Sequence, residues 1–220
     1  MESKVHTSKL INRIIFYILG LFILALGVAF SVKSQLGVSP VNSLRYVLSQ
    51  ITGKEMGSMV IVVFSLCIVF QIIILRKEFK WLNLSQLIFS TIFGYFVDFA
   101  KYLLGDFTLP SYLGKLIMLA ISIILAAAGI FIYINVKLIN MPMEGLTLVL
   151  QQKLFKDKSF SDVKVLVDSL IVAIGIILSF VFFGRLVGIR EGTILCALLI
   201  GKVMKPLGKI IMPILERFCF

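Results

Sequence analysis

Two stretches of the chain, 102 positions apart, repeat each other. Gly27–Lys54 (GVAFSVKSQLGVSPVNSLRYVLSQITGK) and Gly129–Lys156 (GIFIYINVKLINMPMEGLTLVLQQKLFK) are identical at eight of 28 paired positions, among them Gly27/Gly129, Pro40/Pro142, Leu44/Leu146 and Gln50/Gln152. Each copy carries an apolar run into a polar break with a central proline, then into an amphipathic stretch. The likeness continues from 55–75 onto 159–179 (Val63/Val167, Ser65/Ser169, Leu66/Leu170) and, carried mainly by Gly94/Gly201, from 84–98 onto 191–205. Each copy therefore holds three apolar runs and one short helix. Three is odd, so tandem copies enter a bilayer in opposite senses. The pattern predicts an inverted repeat about a pseudo-two-fold axis in the membrane plane.

A bilayer is the solvent that the composition demands. Apolar residues make up 60% of the chain, charged ones 15%, and the mean hydropathy is +1.06, far from soluble averages. Six runs approach the roughly 20 residues a helix needs to cross lipid: 11–32, 56–75, 82–104, 112–135, 161–183 and 189–206. The expected fold is all-α and integral to the membrane. Six transmembrane helices form two three-helix inverted-topology repeats (1–106 and 107–220), together one membrane domain.

The net charge of +11 follows topology rather than nucleic acid. With the N-terminus inside, 15 Lys and Arg fall on the cytoplasmic side and 7 on the outer side. The positive-inside rule then sets both termini in the cytoplasm. No cleavable signal peptide is read at the N-terminus. Cys67, Cys196 and Cys219 have no metal or redox spacing and read as packing residues.

The proline breaks are the best pointers to a site. Ser39 stands at an N-cap and Pro40 at the first helical position. Val41, Leu44, Val47, Leu48 and Ile51 then recur at helical spacing. Pro142 starts the counterpart. Each short helix either lies in the interface or dips back into the protein. A helix end buried at such a break presents free N–H groups and a positive dipole end to a ligand. The substrate-binding candidates are Ser39, Pro40, Asn42 and Arg45 in the first break, with Asn140, Pro142, Glu144 and Thr147 in the second.

Charges inside the runs are the second pointer, because each costs about 2.5–3.5 kcal/mol or more at the centre of a bilayer. Asp168 lies eight residues into the fifth run. Lys164, one turn before it, is spaced for an i,i+4 ion pair, either a neutralised pair or a proton- or cation-linked carboxylate. Asp98 and Lys205 hold matching repeat positions and are spaced either to pair across the repeat interface or to mark span ends. Lys202 lies one turn before Lys205.

Three segments carry a resemblance: LGVSPVNSL (36–44), INMPMEGL (139–146) and VGIREGTILCALLIGKVMKP (187–206). Together they resemble the bacterial YczE/YyaS/YitT-type integral membrane proteins. Arg190 and Glu191 depart from that pattern, which is neutral and small there, and Ile139 replaces the glycine found at Gly37 in the first copy. The resemblance implies a multi-spanning bacterial plasma-membrane protein and brings no substrate with it.

No nucleophile elbow, phosphate loop or metal cluster is present in the sequence. The expectation is therefore no enzyme, no catalytic residue, no metal and no cofactor. The preferred function is small-solute transport by alternating access between the repeats, with a lean to an anionic or zwitterionic metabolite and with Asp168 as the coupling acid. The competing reading is a non-transporting scaffold or accessory protein that binds a partner protein or lipid. Expected partners are the bilayer and a small molecule, not nucleic acid, and a homo-oligomer is left open.

Overall fold

A computed structural model describes residues 2–54 and 56–220. Eight α-helices follow one another among the described residues: α1 Glu2–Ser34, α2 Pro40–Thr52, α3 Met56–Leu75, α4 Gln86–Leu104, α5 Tyr112–Asn135, α6 Pro142–Lys153, α7 Phe160–Phe183 and α8 Glu191–Cys219. Two short 3-10 turns join α3 to α4. Five helices, all but α2, α6 and α8, are long and apolar enough to cross a membrane. α8 is longer than any other except α1, but Glu191, Lys202, Lys205 and Lys209 dilute its apolar character.

α8 also runs past the boundary expected at Pro206. Proline removes one helical hydrogen bond and clashes with the preceding turn, yet the helix continues through both Pro206 and Pro213. Packing supplies the reason. Beyond Pro206, Leu207 packs on the core, Gly208 faces the Phe131 ring, and Leu215 and Cys219 are buried.

The centre of the bundle is the crossing of α1 and α5. Gly27 and Gly129, partners in the duplication, both sit at that crossing. A Cβ on Gly27 would fall 2.7 Å from the Ala126 nitrogen, and one on Gly129 would fall 2.5 Å from the Leu24 nitrogen. Small residues at these points let two backbones approach. Around this axis α4 packs on α1 and α8 on α5, while α2 lies along α7 and α6 along α3. The two sides of the bundle are not alike. α7 packs along α8, whereas α3 and α4 are joined mainly by a reciprocal amide pair, Gln71 with Gln86 at 3.1 and 3.2 Å.

α2 and α6 span ~20 Å and ~18 Å at 1.5 Å per residue, too short to cross. Both start at their proline, as the sequence predicts, and Gly53 in a left-handed conformation ends α2. Their neighbours give their depth. Ser39–Val41 line a cavity with Asp168 of α7, Ser43 lies beside Gly175, and Tyr46 meets Gly188 beyond the end of α7. In the same way Pro142 accepts a bond from Gln71 inside α3, while Lys153 pairs with Glu78 just past the end of α3, at 2.7 Å. Each short helix thus has its N-terminus inside the bundle and its C-terminus at one end. Pro40 and Pro142 are both buried, so neither helix start lies on the surface.

Candidate functional site

The N-termini of α2 and α6 converge on one cavity of ≈ 70 Å³. Two backbone features set the charged residues around it. Ser159 caps α7 through the Asp162 N–H (3.3 Å), which fixes the first turns and brings Lys164 and Asp168 onto one inward face. Pro142 begins α6, which leaves Glu144 in its first turn, where the positive end of the helix dipole favours a carboxylate. The Lys164 Nζ lies 2.9 Å from Asp168 Oδ1 and 3.5 Å from Glu144 Oε1. All three residues are buried, at 2%, 1% and 7% relative exposure respectively.

The remaining walls come from α1, α5 and α8. Leu24, Val28, Ala126, Ile130 and Ile200 make most of the surface apolar; Ser31, Ser122 and Cys196 add polar atoms. Ser31 Oγ is buried with no hydrogen-bond partner. A buried hydroxyl without a partner is costly and asks for an explanation.

Of the residues expected from sequence, Ser39, Pro40, Glu144, Lys164 and Asp168 come together here. Ser39 holds the cap position of α2 but makes no side-chain cap bond. Arg45 is buried nearby on a different surface: its guanidinium stacks 4.2 Å from the Phe64 ring centre and donates to Asn42 Oδ1 at 2.9 Å. Thr147 returns its hydroxyl to Met143 O at 2.9 Å, and Asn140 Oδ1 is buried without a partner.

The Asp98–Lys205 pairing across the repeats is not formed. Asp98 is exposed and faces Lys101 at 3.7 Å, one turn along the same helix, while Lys205 reaches Asp162 at 2.5 Å. Both residues are exposed, and each meets a nearer partner of opposite charge. Lys202 is exposed and lies outside the cavity.

Ser31, Ser122 and the Gln71–Gln86 pair were missed from sequence. Their signal was faint: single neutral polar residues inside apolar runs, which also occur as helix-packing groups.

Membrane-length apolar helices around buried charges define a multi-spanning membrane protein. The chain belongs to DUF6198, a family of unknown function, which it matches over residues 11–209. It is 30% identical over 203 residues to "Uncharacterized protein YyaS" of Bacillus subtilis (strain 168), covering 92% of this chain and 93% of that one. It is 29% identical over 147 residues to "Uncharacterized membrane protein YczE" of the same organism, covering 66% of each. YyaS and YczE are both among the YczE/YyaS/YitT-type proteins that the sequence motifs resemble. No solved structure matches the chain.

Proposed function

We propose that this protein carries a small solute across the bacterial plasma membrane, with six spans arranged as two inverted repeats that rock about the central cavity. The observation that carries the reading is the convergence of two half-helix N-termini, one from each copy of the duplication, on a cavity holding Glu144, Lys164 and Asp168. Irregular backbone at membrane depth is tolerated where it is buried in protein or lines a cavity, and paired interrupted segments point to transporter binding sites. The packing supports the repeat: α2 on α7 mirrors α6 on α3, and α1 with α4 mirrors α5 with α8. α8 serves as the sixth span in this scheme, its lysines near the cytoplasmic end. The charge count supports cytoplasmic termini. The absence of a catalytic motif in the sequence favours a carrier over an enzyme.

The test uses access. With the native cysteines replaced, a cysteine at Ser39 is expected to react with a membrane-impermeant maleimide from either side of the membrane as the protein cycles. A thermal-shift panel of small metabolites then selects a compound for uptake into proteoliposomes. Uptake is expected to fall at least tenfold in Asp168→Asn. A cysteine at Ser39 that reacts from neither side, with no uptake above empty liposomes, removes the transport reading.

A further inference from the structure

The charge at the cavity is unequal, and this bears on what it binds. Two carboxylates, Glu144 and Asp168, face one ammonium, that of Lys164. Among the described residues no second cation lies within 4 Å of either acid. Arg45, the other buried cation, does not line the cavity: it stacks on the Phe64 ring and donates to Asn42, and its Nε is left without a partner. A buried carboxylate without a full partner is strongly disfavoured. The N-termini of α2 and α6 supply about half a charge each; they soften the excess without filling the space.

The three charges at the cavity belong to the second copy alone, and the counterpart of Lys164 is Val60. Asn42 is the counterpart of Glu144, and Phe64 is the counterpart of Asp168 under the shift that aligns 55–75 with 159–179. The first copy makes the same helices with neither carboxylate. Asp168 has the closer hold on Lys164, so Glu144 is the acid left short. On the same cavity wall Ser31 Oγ, at 3% exposure, has no partner.

Resting on the transporter reading, we propose that this cavity binds one small monovalent cation, an alkali ion or an ammonium-type ion, against Glu144 and the Ser31 hydroxyl. Among the residues that line the cavity, one positive charge balances the second carboxylate. The ≈ 70 Å³ is about half the ~150 Å³ of a cavity that admits benzene, which limits the occupant to a few heavy atoms. A calcium ion needs about 6–8 oxygen ligands, and these walls are mostly aliphatic. The site is exchangeable rather than tight, because the helix ends already offset part of the charge.

The experiment is equilibrium binding to the full-length protein in detergent, read by thermal shift and calorimetry, so it does not depend on transport. Sodium, potassium and methylammonium chlorides are titrated separately, with N-methylglucamine chloride holding ionic strength. Saturable stabilisation by at least one of the three is expected, and the ion that succeeds separates the alkali source from the ammonium source. Glu144→Gln is expected to raise the apparent Kd about tenfold or more, and Ser31→Ala several-fold, while Asp98→Asn leaves it unchanged. Ser31→Ala keeps the test open if Glu144→Gln fails to fold. Equal binding in wild type and both cavity variants overturns the proposal, as does no saturable binding of any of the three ions, including a response to pH alone. Binding without uptake would instead sink the transport reading and leave the cation site standing.

Discussion

Lys164 is the residue on which the buried charges depend. It holds two carboxylates, and removing it leaves both in the interior with no other cation among the described residues within ion-pair distance. Breaking a buried pair from one side costs about 3–5 kcal/mol, whereas removing both partners is often close to neutral. Lys164→Met is therefore expected to lower the thermal midpoint in detergent sharply, and Lys164→Met with Asp168→Asn and Glu144→Gln to recover most of the loss. Equal midpoints for the single and triple variants would show that the charges do not act as a unit. Asp98 and Lys101 make the contrast. Theirs is an exposed pair one turn apart, and such pairs contribute at most about 1 kcal/mol, so Asp98→Asn is expected to leave the midpoint nearly unchanged.

At the scale of elements, glycine means different things on different helices. Gly27 and Gly129 sit in the α1–α5 crossing, where an added methyl meets backbone atoms that cannot rotate away. Gly27→Ala and Gly129→Ala are each expected to cost about 1–3 kcal/mol through overpacking. Gly94 on α4 has nothing within 4 Å of such a methyl. Gly94→Ala is expected to be neutral or to gain up to about 1 kcal/mol from helix propensity. Chemical or thermal unfolding of the three variants checks this, and a loss at Gly94 equal to that at Gly27 would contradict the packing.

The starts of the short helices were legible because proline at a first helical position is a local rule, read correctly at Pro40 and Pro142. The far end of α8 was not. A proline inside an apolar run reads as a stop, and only the packing of Gly208 and Leu215 on the rest of the bundle outweighs it.

For the whole molecule, the arrangement of spans makes a directional prediction. If the termini are cytoplasmic, cysteines replacing the exposed Lys54 and Arg185 should react with an impermeant maleimide on intact cells. Those replacing Lys80 and Lys158 should react only after the membrane is opened. The reverse pattern would invert the topology, and a mixed one would undo the six-span count.

The sequence by itself determined the solvent and the helices. Hydropathy and i,i+4 spacing act over a few residues, and a duplication is visible in any string, so the membrane class, the helix starts and the neighbourhood of Lys164 and Asp168 could be read directly. Only the tertiary structure decided which charges meet. Glu144 lies 20 positions from Lys164 on a different helix, and its place beside that ammonium depends on how deeply α6 sits between α3 and α7. Asp98 and Lys205 matched each other in the string and lie apart, Asp98 beside Lys101 and Lys205 beside Asp162. Packing sets depth and distance, and no local pattern carries either.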